Sequence, residues 1–253
     1  MLLLLPCGLS AQPKADLEPR VTVAIDRAVA YFQAHRTAMD PDAYLFYHFL
    51  SRKFGLPAPI PADSFVAALA TSPFRAEIEP FLRIIGVAKF KRAYLKASGS
   101  LNDITLAGIW HDRLRNKKIL EKRILQMDFG DDYNITHAFL ALALARRCFG
   151  ADIDAGLWKR IGLRMEAISQ PGEAPYCDVN IEALAMRCHD GQAADIPDAA
   201  ILKVISQQTE NGSWQHCPDT NPMESQHTTV LALWALLEWQ GKGNPQVTLI
   251  GIR

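Results

Sequence analysis

Residues 138–145 read AFLALALA and residues 230–237 read VLALWALL, and neither run contains a charged side chain. Each run is far shorter than the roughly 20 apolar residues that a bilayer-spanning helix needs. A helix that is apolar on every side must be covered by other protein on every side. The two runs therefore predict buried helices at the centre of an all-α domain.

The segments that end these helices are alike and recur along the chain. Basic residues followed by glycine, the chemistry of a helix C-terminus, precede Gly55, Gly150 and Gly191, and Gly241 closes the last unit without them. Gly150 and Gly191 are 41 residues apart, Gly191 and Gly241 are 50 apart, and Gly55 and Gly150 are 95 apart. The longest gap equals two units, which predicts a further unit ending near Asn116.

Helix starts recur as well. Residues 151–161 (ADIDAGLWKRI) are echoed by residues 194–205 (ADIPDAAILKVI), with Asp or Pro where a first turn would begin. Repeats of 40 to 50 residues are typical of stacked helical arrays. The first helix of each pair is amphipathic and the second is apolar. Residues 15–241 are therefore predicted to form about five helical hairpins, arranged as a partial or complete α/α toroid with inner and outer helix rings.

The loop of the last hairpin carries a resemblance. Gln208 is followed by Gly212 and Trp214, and this pattern resembles the QW repeat of squalene and oxidosqualene cyclases, whose superfamily includes the prenyltransferases. The resemblance implies an α/α toroid over roughly residues 15–241. It implies no particular activity, because residues 128–132 (DFGDD) differ in spacing from the DxDD acid motif of the cyclases.

The charge composition limits the kinds of partner that this protein can be expected to bind. The 253 residues contain 27 basic and 27 acidic side chains, so no overall field draws the chain to nucleic acid or to an anionic membrane. Residues 89–123 carry ten basic and three acidic side chains. We interpret them as the solvated face of outer helices, and the alternative is a patch that binds an anionic polymer or phosphate. We expect a monomer without a transmembrane segment and without a nucleic-acid partner, whose ligand is a small molecule or a polymer.

Four ionisable residues stand where inner helices begin. Asp42, His137 and Asp178 each lie thirteen residues before a terminal glycine, and His227 lies fourteen before one. In a toroid these positions share one rim of the central cavity. His137, Asp178 and His227 are the candidate catalytic residues, and they could instead hold a zinc ion, since catalytic zinc has three protein ligands and a water. We expect both imidazoles to be neutral, because a helix N-terminus disfavours positive charge.

Further candidates for ligand binding lie near this rim: Asp42, Asp131, Asp132, Tyr133 and Glu224. An alternative explanation covers the aspartates, since Asp is a preferred residue at any helix start. Capping alone would account for Asp42 and Asp178.

The pattern predicts an exported α/α-toroid protein that binds an organic ligand, apolar or extended, in its central cavity. The alternative is a toroid enzyme that uses the rim histidines and aspartates. It would be a metal-assisted or acid/base lyase, hydrolase or transferase, including a carbohydrate-active one. No sequence feature names a substrate.

The two ends of the chain and the cysteines complete the predictions. Residues 1–11 (MLLLLPCGLSA) are interpreted as a signal peptide that directs the protein to a periplasmic, secreted or surface location. Residues 242–253 are predicted to be a tail, weakly alternating like an edge strand. Cys148 and Cys188 are 40 residues apart, as are Cys177 and Cys217. Each pair could form a disulfide between neighbouring repeats, or remain as free buried thiols.

Overall fold

Helices make up most of residues 14–96 and 100–250, which are the residues that the computed structural model describes. Eleven α-helices lie in these residues: α1 (Lys14–Ala34), α2 (Pro41–Phe54), α3 (Ala62–Leu69), α4 (Arg75–Ile78), α5 (Asn102–Ile109), α6 (Ile119–Leu125), α7 (Asp132–Phe149), α8 (Ala155–Ser169), α9 (Asp178–Arg187), α10 (Asp198–Ser206) and α11 (Gln226–Gln240). Shorter helical turns cover Glu79–Arg83, Arg92–Leu95, His111–Arg113, Cys188–Gln192 and Ala193–Asp195. Two antiparallel strands precede α11: β1 (Trp214–Cys217) and β2 (Asn221–Ser225). The fold is mostly helical, as predicted.

Five helices form a continuous row. Helix α5 packs on α7, α7 packs on α9, α9 packs on α11, and α11 packs on α2. The apolar runs of residues 138–145 and 230–237 lie in α7 and α11, and all their side chains are buried. These runs are buried helices, as their composition predicts.

Helices α1, α6 and α8 pack against this row, and α8 shows their amphipathic character. Helix α8 packs on both α7 and α9, and α1 packs on α11. Helix α8 buries Leu157, Ile161 and Met165, while Leu163 on its other face is 57% exposed. The predicted division into apolar and amphipathic helices is therefore present in the structure.

Glycines end three of the helices as expected. Gly55, Gly150 and Gly241 follow α2, α7 and α11 in the left-handed conformation, with φ of 69°, 62° and 70°. The predicted unit end near Asn116 falls in the segment between the turn His111–Arg113 and α6. Helix α5 ends at Ile109, because the chain tightens there into the turn His111–Arg113.

The loop with the Gln-Gly-Trp pattern lies between α10 and α11 and packs closely against α1, to which it is hydrogen-bonded. Gln208 donates from Nε2 to the carbonyl oxygens of Ala24 and Gly212, at 2.8 and 3.1 Å. Gly212 has a φ of 93°, and a Cβ there would lie 2.4 Å from the carbonyl oxygen of Arg27. Trp214 is buried and donates from Nε1 to the carbonyl of Val204 at 2.7 Å. Each residue of the pattern thus has a local structural task.

The last described residues are not a strand. Residues 246–250 contain no strand, so the predicted edge-strand character is wrong for them. Asn244 donates its backbone N–H to the carbonyl of Lys53 at 2.9 Å, and Leu249 and Ile250 are fully buried. Leu249 and Ile250 of the segment that we predicted to be a tail therefore belong to the core.

One of the two cysteine pairs forms a disulfide, and the other pair remains as free thiols. Cys177, just before α9, forms a disulfide with Cys217 at the end of β1. Cys148 and Cys188 are buried free thiols. The disulfide therefore joins the N-terminus of α9 to the strand pair that precedes α11.

Two further predictions concern the membrane and export. None of the helices in the described chain is long and apolar enough to cross a bilayer. The predicted signal peptide, residues 1–11, lies outside the described residues.

Candidate functional site

A cavity of about 470 Å³ lies among the helices of the row. Its lining includes residues from α2, α5, α7, α9 and α11, together with residues 74–84. Most of the wall is apolar, as with Phe46, Phe81, Ile109 and Leu140. The polar residues of the lining come largely from the first turns of these helices.

Three of the four predicted rim residues are in direct contact. His227 lies in the first turn of α11, and its Nδ1 is 2.7 Å from Asp42 Oδ2. Its Nε2 is 3.7 Å from Asp178 Oδ2. The imidazole of His227 therefore lies between two carboxylates that belong to two different helices.

These carboxylates decide the charge of His227. Burial lowers its pKa, but Asp42, Asp178 and Glu182 outweigh burial and raise the pKa to about 9. In the opposite direction, His227 lowers the pKa of Asp42 in spite of burial of that carboxyl. The expectation of a neutral His227 is wrong, because two carboxylates in contact act more strongly than the partial charge of a helix terminus.

Asp178 begins α9 and is almost completely buried. Its Oδ1 accepts a hydrogen bond of 2.6 Å from the Thr228 hydroxyl, and its Oδ2 accepts one of 3.5 Å from the Tyr133 hydroxyl. Both donors belong to neighbouring helices. Asp178 thus connects three helices, and capping of its own helix does not explain it.

His137, one turn into α7, faces the same cavity with a different environment. Its Nδ1 is hydrogen-bonded to the Thr105 hydroxyl at 2.8 Å, and its Nε2 is 4.0 Å from Glu182 Oε1. Burial, helped by the charge of His227, lowers the pKa of His137 to about 4. This imidazole is neutral at physiological pH, as expected.

Glu182 is a residue of this site that the sequence analysis missed. It lines the cavity from α9, is only 5% exposed, and accepts a hydrogen bond of 2.8 Å from the Thr136 hydroxyl at Oε2. Burial raises its pKa to about 7. One signal was present in the sequence: Glu182 interrupts an apolar stretch four residues after Asp178, on the same face of the helix.

The other candidates separate into cavity residues and surface residues. Tyr133 lines the cavity, and burial followed by the Asp178 charge raises its pKa. Asp131 caps α7 by accepting from the Tyr133 backbone N–H at 2.9 Å. Asp132 pairs with Arg164 at 2.8 Å, and Glu224 on β2 accepts from Asn211 at 2.6 Å. Asp131, Asp132 and Glu224 do not line the cavity, so the prediction that they bind the ligand has no structural support.

The three residues proposed as zinc ligands do not form a zinc site. Within the described ranges, 14–96 and 100–250, no group of three or more His, Cys, Asp or Glu is placed to hold a metal ion. His137 is directed towards Thr105 and Glu182, and His227 is held as an imidazolium between carboxylates.

No protein-family model, curated protein or solved structure matches this chain. The chemistry of the site must therefore be inferred from its own residues. They offer a half-open apolar cavity with an imidazolium, a neutral imidazole and a carboxyl of near-neutral pKa on one side.

Proposed function

We propose that this protein is an α/α toroid that binds an apolar organic ligand in its central cavity. The observation that carries the proposal is that all five helices of the row contribute to the lining of one cavity. Helices α5 and α2 are the two ends of that row, and both face the same space, as expected when a row curves into a ring. Apolar walls with a few convergent polar groups are typical of small-molecule sites.

Binding of a neutral apolar probe tests this proposal. Octanol titrated into the protein in a calorimeter should give saturable binding. Ile78→Trp fills part of the cavity from its wall and should weaken octanol binding about tenfold or more. Leu163→Trp, at an exposed position of α8, is the matched control and should bind as the wild type does. Absence of binding to the wild type, or unchanged binding to Ile78→Trp, would contradict the proposal.

A second candidate is an enzyme that transfers protons in this cavity. Glu182 favours it, because a general acid or base works best when its pKa is close to the working pH. In this mechanism Glu182 exchanges a proton with the ligand, and the His227 imidazolium stabilises negative charge that develops on it. Asp42 and Asp178 keep His227 protonated and oriented. The chemistry fits an acid/base lyase or a related hydrolase or transferase, and needs no metal ion.

Comparison of bound molecules separates the two functions. Wild type and Glu182→Gln would be purified from the native host, and the molecules extracted from each would be identified by mass spectrometry. An enzyme should release its product, while the variant should retain the unreacted substrate. The same molecule in both proteins would identify a binding protein.

We also propose that the protein is exported and acts as a monomer. The disulfide between Cys177 and Cys217 supports export, because disulfides persist mainly in oxidising compartments. Mass spectrometry of the mature protein should show cleavage after Ala11. An intact N-terminus in a cytosolic fraction would count against export.

A further inference from the structure

The charged residues of the cavity wall are mainly acidic. Asp40, Asp42, Glu77 and Glu182 line it, and none of its described lining residues is Lys or Arg. The positive charge of His227 is already matched by the two carboxylates in contact with it, Asp42 and Asp178. Asp40, Glu77 and Glu182 thus add to a wall in which His227 is the one protonated side chain among the described lining residues, so acidic groups are in excess.

Two arginines outside the described lining have acidic partners of their own. Arg83 follows the wall residue Phe81 by two positions, but its guanidinium binds Asp112 with two hydrogen bonds of 2.6 and 3.0 Å. Arg164 is paired with Asp132 at the surface. A ligand with a phosphate or carboxylate group would thus meet one cation in the lining, His227, whose charge is shared with Asp42 and Asp178, and would lie close to several carboxylates.

Glu182 is the buried carboxyl best placed to meet a ligand. Its Oε2 is occupied by the Thr136 hydroxyl, while its Oε1 is 4.0 Å from His137 Nε2, beyond hydrogen-bond distance. A buried carboxylate gains most when a charged donor reaches it, because a charge-assisted hydrogen bond is stronger than a neutral one.

The wall also contains aromatic rings suited to a cation. Phe46, Phe74 and Phe81 line the cavity, and Tyr133 lies near its acidic side. The face of an aromatic ring attracts an ammonium group that approaches within about 6 Å of its centre. Carboxylates and ring faces together favour the same sign of ligand charge.

We infer that the ligand is a hydrophobic organic cation, such as an alkyl amine, whose ammonium group meets Glu182 and whose apolar part lies along Phe81, Ile109 and Leu140. This inference rests on the proposed function, since it assumes that the cavity is the binding site.

Three probes with the same alkyl chain and different head groups test the inference. Octylamine, octanol and octanoate would be titrated separately into the full-length protein by calorimetry at low ionic strength and pH 8, above the pKa of about 7 that burial gives Glu182, so that this carboxyl is mostly ionised. Octylamine should bind about tenfold more tightly than octanol, the gain expected from one charge-assisted hydrogen bond. Octanoate should bind more weakly than octanol. Added salt should weaken the amine and leave the alcohol unchanged.

The Glu182→Gln variant tests whether Glu182 is the residue that contacts the ammonium group. The variant keeps the acceptor for Thr136 and removes the negative charge. Octylamine binding should fall to the level that octanol shows with the same variant, and a far-ultraviolet circular dichroism spectrum like that of the wild type shows that the variant is folded. Glu166→Gln, at an exposed position of α8, is the matched control and should retain the preference for the amine.

The outcomes distinguish this inference from the function on which it rests. If octanol or octanoate binds as tightly as octylamine, the cationic ligand is refuted while the cavity remains a binding site. If Glu182→Gln keeps the full amine preference, the placement of the ammonium group at Glu182 is refuted. If none of the three probes binds, the proposed function itself fails.

Discussion

His227 should stabilise the folded protein in a way that depends on pH. Its imidazole lies 2.7 Å from Asp42 and 3.7 Å from Asp178, and these carboxylates raise its pKa from 6.5 to about 9. Below pH 6.5 the imidazole is protonated in the folded and unfolded states alike, so the stabilisation is complete. Between pH 6.5 and about 9 the folded state alone retains the proton. The free energy of unfolding therefore falls as pH rises through this window.

The magnitude follows from the displacement of the pKa. Each pH unit of displacement corresponds to about 1.4 kcal/mol, so full conversion would give about 3 kcal/mol. The side chain is still 32% exposed, and water screens part of the interaction. We therefore expect His227 to contribute about 2 kcal/mol at pH 6, and almost none of it at pH 9.

Two measurements check this expectation. The chemical shifts of the imidazole nitrogens, followed by NMR against pH, should give the pKa of His227 directly. Urea unfolding of wild type and His227→Gln at pH 6 and pH 9 should show a difference in stability that shrinks by about 2 kcal/mol at the higher pH. His216→Gln, which replaces an imidazole of β1 outside the cavity lining, is the control and should show no such change.

One result would refute the reasoning. A His227 pKa at or below 6.5, together with a pH-independent difference between wild type and His227→Gln, would mean that the carboxylates do not hold an imidazolium. The neutral His227 expected from the helix terminus would then be correct, and Asp42 and Asp178 would have no cation between them.

Three further predictions concern stability. Leu249→Ala should destabilise the protein by about 3 kcal/mol in urea unfolding, because Leu249 is 1% exposed; a wild-type value would mean that its segment does not pack in the core. Replacing Cys177 and Cys217 by Ser removes a cross-link between residues 40 positions apart and should lower the free energy of unfolding by about 4 kcal/mol. A variant as stable as the wild type under oxidising conditions would contradict the disulfide. Burial opposes ionisation of Glu238, but His189 and Lys53 outweigh it and lower the pKa of Glu238 to about 2. The free energy of unfolding should therefore fall as the pH drops from 4.5 towards 2. Glu238→Gln should be about 3 kcal/mol less stable than the wild type in urea unfolding at pH 7, and its stability should depend less on pH in the acid range.

Local rules account for the parts of this protein that were predictable. The apolar runs in α7 and α11 could only be buried helices, since no face of them suits water. Gly55, Gly150 and Gly241 end helices because a left-handed residue is needed there and glycine adopts it at no steric cost. Positions counted back from those glycines located the N-terminal parts of α2, α7 and α11, and so three of the residues at the cavity, Asp42, His137 and His227.

Interactions between residues far apart in the sequence decided the charges and partners of the site residues. The charge of His227 depends on carboxylates from α2 and α9, which outweigh the helix terminus that the local sequence offered. Glu182 became a site residue because burial raised its pKa, and burial depends on the packing of neighbouring helices. Residues near the same helix starts, such as Asp132, turned to surface partners.

The sequence by itself determined where helices begin and end and which of them are buried, because these properties depend on residues a few positions apart. The tertiary structure decided which ionisable side chains share one cavity, what charge each carries, and where Leu249 lies. Those properties depend on distances and solvent exposure between residues as far apart as Asp42 and His227, which no local pattern specifies.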